Sequence, residues 1–201
     1  MQTLGITEIE QIRTTILDKY EKVAKSPTGQ FRYPTGMKGL TAQGYDSALV
    51  ALLPLTVREF FVGVGNPLSL RRIEPGQTVL DVGCGAGVDT LFASLLVGEQ
   101  GKAVGVEFSP AMAARAQANK KQSAINNAVF LNGSAEKLPL RSESFDVVIS
   151  SGVFNLVVDK ERALHEVFRV LKKGGSFQVA DQILNMPFGA DRRDMVSSWF
   201  T

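Results

Sequence analysis

The sequence predicts a doubly wound α/β fold, in which helices cover both faces of a parallel β-sheet. From Thr78 onward, short runs rich in β-branched residues alternate with segments of helical periodicity. Runs such as Val147-Val148-Ile149 are apolar without alternation, which is typical of strands buried on both faces. Successive β-α-β units of this length connect parallel strands. A glycine-rich turn follows the first run, at the edge where such sheets bind ligands.

This part of the chain is predicted to contain five strands with three helices between them. The strands are Thr78–Val82, Ala103–Phe108, Val129–Asn132, Asp146–Ser150 and Ser176–Ala180. The helices lie near Val88–Val97, Ser109–Asn126 and Lys160–Lys172. Ser109 suits an N-cap and Pro110 the first helical position, whereas Gly98 and Gly174 suit helix C-termini.

Residues 1–74 are predicted to form a helical N-terminal extension, followed by an α/β domain at 75–201. Thr7 and Glu10 have the spacing of a capping box and predict the start of the first helix. The Gly/Pro-rich stretch 26–39 is predicted to be a loop. Its segment Tyr33-Pro34-Thr35-Gly36 is interpreted either as a lid or as a plain surface loop.

Two further short helices are expected in the extension. One follows Asp46 and ends near Pro54, since proline cannot continue a helix. The other begins at the capping-box pair Thr56 and Glu59.

Composition excludes several classes of protein. The chain has 201 residues, a net charge of +2, one cysteine and one histidine. Such a small charge does not indicate nucleic acid or an anionic membrane as a partner. Single Cys and His residues exclude an internal disulfide and a Cys-cluster or multi-His metal site. No signal-peptide pattern is present, and the longest apolar stretch is far below the ~20 residues of a membrane span. A soluble cytoplasmic protein without a bound metal is expected.

The glycine turn distinguishes two classes of cofactor. A dinucleotide-binding G-x-G-x-x-G turn would need glycine at position 88, where this chain has Val88. The carboxylate of Asp81, at the end of the strand, would repel a diphosphate at ~4 Å by about 4 kcal/mol at an effective dielectric near 20. The same charge attracts the ammonium group of a methionine moiety. A phosphate-free nucleoside bearing a sulfonium is therefore favoured over a dinucleotide.

Glu107 ends the second strand, where a carboxylate accepts hydrogen bonds from ribose hydroxyls. Dinucleotide enzymes also carry an acid there, so Glu107 indicates an adenosine ligand without specifying its tail. The alternative interpretation of Asp81 and Glu107 is a pair of solvated acids at strand ends.

Four segments, in order, resemble class I S-adenosylmethionine-dependent methyltransferases. They are Asp81-Val82-Gly83-Cys84-Gly85-Ala86-Gly87, Gly133-Ser134-Ala135-Glu136-Lys137-Leu138-Pro139, Ser144-Phe145-Asp146-Val147-Val148-Ile149-Ser150 and Val167-Phe168-Arg169-Val170-Leu171-Lys172-Lys173-Gly174-Gly175. The resemblance covers about Thr78 to Gln182. It implies a Rossmann-like sheet with strand order 3-2-1-4-5 and S-adenosylmethionine as cofactor.

The resemblance also implies which residues bind the cofactor. Asp81, Gly83, Gly85 and Gly87 are expected at its methionine part, with Cys84 contributing backbone and Ser150 lying nearby. Glu107 is expected to hold the ribose, Phe108 to pack against adenine, and Ser134, Ala135 and Glu136 to face the adenine edge. The family usually has aspartate where this chain has Ser134, so that hydrogen bond is expected from backbone or from the Ser134 hydroxyl.

A narrower resemblance, to arsenite methyltransferases, is carried by the segments 61–67 and 150–160. Their motifs imply cysteines at positions 64 and 152, where this chain has Val64 and Gly152. Trivalent arsenic is a soft centre that requires sulfur ligands. Cys84 alone cannot form that site, so direct methylation of arsenite is disfavoured unless arsenic arrives on another thiol carrier.

The C-terminal part departs from the family pattern. Class I methyltransferases add an antiparallel hairpin at the sheet edge, and after Gln182 this chain has room for a loop and one short helix at 191–200. The hairpin is therefore expected to be absent. Either the chain is truncated relative to its relatives, or the N-terminal helices or a second copy, as in a homodimer, cover the edge strand, because an uncovered edge strand promotes aggregation.

Methyl transfer to a good nucleophile is an in-line displacement, so alignment and exclusion of water suffice and no catalytic residue is assigned. Candidate acceptor-side residues at the strand ends are Ser151, Asn155, Asp181 and Gln182. Asp181 is interpreted as a cap or rim acid in preference to a general base. Asn155 either orients the acceptor or caps the next segment.

His165 is assigned no chemistry, because Leu164, Val167, Phe168 and Leu171 are expected to form the buried face of its helix. The leading hypothesis is a methyltransferase acting on a small-molecule acceptor. The alternatives are a cofactor-binding protein of little activity, acting as a sensor or heteromeric partner, and a nucleotide-dependent oxidoreductase, which Asp81 and Val88 disfavour.

Overall fold

The structure, a computed structural model, describes residues 5–183 and contains a five-stranded parallel sheet within that range. The strands are β1 Thr78–Val82, β2 Lys102–Glu107, β3 Ala128–Asn132, β4 Phe145–Ser151 and β5 Leu171–Ala180. Their order is β3-β2-β1-β4-β5, and every neighbouring pair is parallel. The predicted fold class and strand order are confirmed.

Seven helices are described in the same range, together with a short 3₁₀ turn at Pro67–Ser69. They are α1 Ile6–Lys25, α2 Gly36–Ala42, α3 Ser47–Ala51, α4 Leu55–Arg58, α5 Val88–Val97, α6 Pro110–Ser123 and α7 Lys160–Val170. Ser109 caps α6 by accepting from the N–H of Met112, and Gly98 ends α5, as predicted.

Alternating residues of the central strands enter two cores on opposite faces of the sheet. Leu80 and Val82 of β1 pack with Val167 and Val170 of α7 on one face. On the other face, Val79 packs with Ala93 and Val97 of α5. Burial on both faces explains why the strand sequences lack polar alternation.

The N-terminal segment packs against the turn after β1 and the helices α5 and α6. Leu40, Tyr45, Leu53 and Phe61 share one core with residues of the turn after β1 and of α5, such as Leu91. Helix α1 contributes Val23 and Ala24 to a smaller cluster with Ala86 and Met112. The segment predicted to be an N-terminal extension therefore covers the carboxyl ends of the strands, where the glycine turn lies.

Several predicted boundaries are wrong in this segment. Helix α1 begins at Ile6, and Glu8 rather than Glu10 accepts the N–H of its cap residue Gly5 at 2.7 Å. Residues 36–39, predicted to be loop, form the first turn of α2. The hydroxyl of Thr56 donates to the side chain of Gln122 at 2.7 Å and does not cap α4, which begins at Leu55.

The junction of α7 and β5 also differs from its prediction. Helix α7 ends at Val170, and β5 begins at Leu171, five residues earlier than predicted. Phe145 pairs with Leu171 and Val147 with Ser176, so β5 carries extra residues between these pairs. Gly174, with φ of 77°, lies in that irregular part of the strand and does not end the helix.

The buried face of α7 is Ala163, Val167 and Val170, whereas the predicted core residues Leu164 and Phe168 are exposed. A rotation of about 100° per residue explains the error, since Phe168 is adjacent in sequence to Val167 but lies on another side of the helix. His165 is exposed, as predicted.

Among residues 5–183, no helix has the length and apolarity that crossing a membrane requires. In that range β5 pairs with β4 alone, so it forms one edge of the sheet. The helix predicted at 191–200 lies outside the described residues. Homodimer formation through the β5 edge stays a prediction.

Alanine substitutions at two glycines test how tightly the turn after β1 is packed. Gly87 and Gly76 have nearly the same left-handed φ, 82° and 83°. A Cβ on Gly87 would lie 2.5 Å from the ring of Phe130, whereas nothing lies within 4 Å of a Cβ on Gly76. Gly76→Ala should lower the free energy of unfolding by about 1 kcal/mol, the cost of placing a side chain in this conformation. Gly87→Ala should lower it by roughly 1–3 kcal/mol more, because of overpacking.

Urea denaturation of both variants measures the difference. Equal losses in the two variants would show that Phe130 moves away freely and that the close approach is not a constraint.

Candidate functional site

A cleft of about 830 Å³ lies at the carboxyl ends of β1, β2 and β4. Its floor is the glycine turn, where Gly83 and Gly85 both line the cleft and have positive φ. A Cβ on Gly83 would overlap the side chain of Val153, which follows β4. The turn therefore needs glycine both for its conformation and for its closeness to the loop after β4.

Glu107 ends β2 and points both carboxylate oxygens at backbone donors. Oε2 accepts from the N–H of Gly85 at 2.8 Å, and Oε1 accepts from the N–H of Ser109 at 2.7 Å. Burial raises the pKa of Glu107, and these backbone hydrogen bonds oppose that rise. Each oxygen keeps a second acceptor site, and Glu107 lines the cleft, so it is able to accept from a pair of hydroxyls.

Four residues predicted at the adenine end line the cleft together: Phe108, Ser134, Ala135 and Glu136. The Ser134 hydroxyl accepts from the N–H of Glu136 at 3.1 Å, so it organises its own loop. Glu136 pairs with Arg13 of α1 at 2.6 Å. This ion pair ties the N-terminal helix to the loop after β3.

Helix α1 covers the cleft with Arg13, Ile16 and Tyr20, none of which had been predicted as site residues. Their spacing of three and four residues is the available signal, because it places a basic and a phenolic group on the helix face that otherwise packs inward. Burial raises the pKa of Tyr20, and the nearby Tyr33, Glu107 and Asp181 raise it further. The phenol is therefore neutral at physiological pH.

Segment 33–36, interpreted above either as a lid or as a plain surface loop, packs against the wall of the cleft. The hydroxyl of Tyr33 donates to the carbonyl of Val62 at 3.0 Å, and Val62 lines the cleft. The ring of Phe31 lies 5.0 Å from Tyr33 and 6.4 Å from Tyr20. The cleft cover is therefore α1, supported from behind by this segment.

A second cavity of about 350 Å³ lies beyond the glycine turn and shares Val62, Gly83, Gly85 and Ser151 with the cleft. Asp81 and Asp89 both line it. Asp81 is 3% exposed, and its Oδ2 accepts from the Thr90 hydroxyl at 2.7 Å. Burial raises the pKa of Asp81 well above its usual range, and the neighbouring Asp89 adds to the rise. This places the predicted Asp81 at the end of the site that Glu107 does not occupy.

Asp89 and its partner Tyr45 were missed by sequence reasoning. The Tyr45 hydroxyl donates to Oδ1 of Asp89 at 2.6 Å across 44 residues of sequence. Burial raises the pKa of Asp89 to about 7, although the Tyr45 hydrogen bond opposes the rise. An acid in the first turn of a helix is ordinary, so its sequence carried no signal of this contact.

Cys84 also lines the second cavity, and burial raises the pKa of its thiol. A Cβ on Gly105 would lie 2.6 Å from its Sγ, so the sulfur packs against β2. The thiol is a buried filler, in keeping with the sequence interpretation.

Gly87 and Ser150, predicted near the cofactor, are among the lining residues of neither cavity. Gly87 makes room for Phe130, and the Ser150 hydroxyl donates to the carbonyl of Val82 at 2.9 Å. Both support the turn from behind, and their direct contact with a cofactor stays a prediction.

Of the predicted acceptor-side residues, Ser151 lines both cavities. Its hydroxyl accepts from the N–H of Val64 and donates to the carbonyl of Gly65. The Asp181 carboxylate accepts from the N–H groups of Val153, Phe154 and Asn155, at 3.2, 2.7 and 3.3 Å. It therefore caps the turn after β4, as preferred above.

Asn155 donates to Gln182 at 3.4 Å, and within residues 5–183 its buried Oδ1 has no hydrogen-bond partner. Val64 and Gly152 face each other, since a Cβ on Gly152 would lie 3.3 Å from both methyl carbons of Val64. The two positions implied to carry arsenic-binding cysteines are therefore adjacent here and apolar.

The chain is similar to known methyltransferases. The family model described as a methyltransferase domain matches residues 73–198. The arsenite methyltransferase of Halobacterium salinarum is 36% identical over 157 residues, which cover 78% of this chain and 40% of that protein. A demethylmenaquinone methyltransferase of Lactococcus lactis is 45% identical over 101 residues, covering 50% of this chain and 40% of that protein.

Among solved structures, an arsenic(III) S-adenosylmethionine methyltransferase from Chlamydomonas reinhardtii is similar, with a TM-score of 0.61 and 39% identity. That match covers 67% of this chain and 47% of the other. The chain spans less than half the length of each of these three proteins. With its glycine turn, its sheet order and these matches, the chain belongs to the class I S-adenosylmethionine-dependent methyltransferase family, which implies S-adenosylmethionine as its cofactor.

Proposed function

We infer that this chain transfers the methyl group of S-adenosylmethionine to a small organic acceptor. The observation that carries this proposal is the pair of neighbouring cavities that share Gly83 and Gly85 of the glycine turn in their walls. One cavity carries the carboxylate of Glu107 beside the ring of Phe108, and the other carries Asp81 and Asp89. The first suits an adenosine and the second suits a cation.

The charges of the lining support a phosphate-free cofactor. Among the described lining residues of both cavities, Arg13 is the sole basic side chain, and it pairs with Glu136. Dinucleotide phosphates would therefore face several carboxyl groups without a counter-charge. The positively charged amino-acid tail of an adenosyl cofactor would instead be attracted to these carboxyl groups.

S-adenosylmethionine supplies a methyl group already activated by a positive sulfur. The residues of this chain bind and orient the cofactor and the acceptor, and they exclude water, as an in-line displacement requires. Glu107 and the turn Gly83–Gly85 hold the cofactor, and Ile16 and Tyr20 of α1 close the cleft above them. Asp181 is engaged with backbone N–H groups, so no step is assigned to it as a base.

The acceptor is proposed to be organic because the metalloid alternative lacks its ligands. The resemblance to arsenite methyltransferases implies sulfur at positions 64 and 152, where Val64 and Gly152 meet. Cys84, the one cysteine of the sequence, is buried against Gly105 on another side of the turn. Soft trivalent arsenic has no set of thiolates here. The similarity to a demethylmenaquinone methyltransferase, whose name refers to an organic acceptor, supports this choice.

A second candidate is a cofactor-binding protein with little methyl transfer of its own. It is favoured by the predicted acceptor side, where Asp181 is engaged with backbone N–H groups and the Ser151 hydroxyl with Val64 and Gly65. Cofactor binding is common to both candidates, and methyl transfer distinguishes them.

Changing Glu107→Gln tests the cofactor site. A glutamine amide would face the N–H of Gly85 or Ser109 with a donor, so affinity for S-adenosylhomocysteine should fall roughly tenfold to a hundredfold. Titration calorimetry measures it, with the exposed Glu99→Gln as the matched control. Unchanged affinity in Glu107→Gln, or binding of NADH by the wild type, would contradict the proposed site.

The acceptor class is tested with radiolabelled S-adenosylmethionine. Labelled methyl should be transferred to a phenolic, quinol or amine acceptor from a panel. Labelling of arsenite with added thiol should stay at the level of the protein-free control. Labelled arsenic would overturn the organic acceptor. Tight cofactor binding without transfer to any panel member would favour the second candidate.

A further inference from the structure

Helix α1 covers the cleft and is held differently at its two ends. Its 20 residues span about 30 Å, and Ile16 and Tyr20 of its central turns line the cleft. We propose that the ion pair between Arg13 and Glu136 is a latch, which holds the first half of α1 over the cleft and opens to admit and release the cofactor. This inference rests on the proposed binding of S-adenosylmethionine in that cleft.

The C-terminal end of α1 is its fixed end. Val23 and Ala24 are buried in one cluster with Met112 of α6. The Arg115 side chain donates to the carbonyl of Ala24 at 2.9 Å, and its guanidinium lies 4.3 Å from the centroid of the Phe60 ring. Detaching this end would expose apolar side chains and remove the donor from that carbonyl. Motion of α1 is therefore expected to be a pivot about this end.

Glu136 is the fixed side of the latch. Its Oε1 accepts from the N–H of Asp159 at 3.3 Å, its own N–H donates to the Ser134 hydroxyl at 3.1 Å, and its carbonyl accepts from Arg162 at 2.9 Å. The side chain of Glu136 is 16% exposed. These contacts do not involve α1, so Glu136 stays in place when Arg13 leaves it.

Arg13 is the moving side of the latch. Its side chain is 44% exposed, and its Nη2 donates to Oε2 of Glu136 at 2.6 Å across 123 residues of sequence. An ion pair with this exposure contributes little free energy, so it breaks and forms again readily, as a cover that must open to release a ligand requires. Ile12 is buried in the same half of the helix. Loss of the ion pair therefore loosens the cover without detaching it.

A latch that closes both with and without ligand predicts a particular kinetic result. Opening it speeds entry and release together, so their ratio, the dissociation constant, stays the same. A group that only contacts the cofactor behaves differently, because its loss raises the release rate and the dissociation constant by the same factor. Salt also weakens the attraction between two partly exposed charges, so it opens the latch.

The test measures the release of labelled S-adenosylhomocysteine during a chase with excess unlabelled ligand, and its Kd by titration calorimetry. This ligand has no net charge at neutral pH, so salt acts mainly on the protein. Release from the wild type should be about threefold faster at about 0.5 M salt than at about 0.02 M salt.

Arg13→Gln should release the ligand about threefold faster than the wild type at low salt, change Kd by less than about twofold, and lose the salt dependence. Arg13→Lys keeps the charge and should restore most of the slow release. Glu21→Gln is the matched control, since it breaks the exposed pair of Glu21 with Lys25 on the same helix and should behave as wild type. Glu136 itself lines the cleft, so Glu136→Gln serves as a background in which adding Arg13→Gln should speed release no further.

Unchanged release in Arg13→Gln at low salt, or a release rate and Kd that rise by the same factor, would overturn the latch and leave the cofactor site intact. Failure of the wild type to bind S-adenosylhomocysteine would instead overturn the proposed function. The wild type alone decides the question if a variant folds poorly, because release that does not depend on salt would overturn the inference.

Discussion

The close approach of backbone segments at the turn after β1 is the constraint on which the site depends. Gly83 leaves no room for a side chain beside Val153, and Gly87 leaves none beside Phe130. Gly105 is equally crowded by Cys84 of the same turn. The turn is therefore held by the loop after β4, by β3 and by β2 at once. Its cleft-facing side stays free of side chains because its other sides are packed.

Charge is the second organising feature, and it follows from where the turn lies. The turn brings the start of α5 next to the end of β1, so Asp89 and Asp81 share one buried cavity. A folded-state pKa raised to about 7 for Asp89 means that the folded chain binds more protons than the unfolded chain between about pH 4 and pH 7. The stability that Asp89 contributes is thus present at low pH and is lost as pH rises through 7.

Sequence periodicity located β1 to β4 within about one residue because each strand is short, apolar and bounded by turn residues. It failed where long-range packing overrides local preference. The stretch 36–39 forms a helix although it is glycine-rich, and glycine at position 39 lets this helix pack closely, since a Cβ there would lie 2.7 Å from the Pro34 carbonyl oxygen and 3.0 Å from the Phe61 ring. The positions proposed to bind adenosine could be predicted to line the cleft because they lie at or just after strand ends. The contact of Tyr45 with Asp89 was not, because 44 residues separate two ordinary positions that only folding brings together.

The cofactor end and the acceptor end of the proposed site also differ in how they are formed. The proposed cofactor end is formed by strand termini and the turn after β1, which the fold itself brings together at the carboxyl ends of the strands. The acceptor end is formed by the loop after β4 and by the segment before β1. The Ser151 hydroxyl links these two segments through hydrogen bonds with the N–H of Val64 and the carbonyl of Gly65. In this arrangement Val64 lies against Gly152. Under the proposed function, the residues at this contact would distinguish a thiophilic metalloid from an organic acceptor, because thiolates at both positions could bind the metalloid. Val64 and Gly152 supply no sulfur, which is why the organic acceptor is the one proposed.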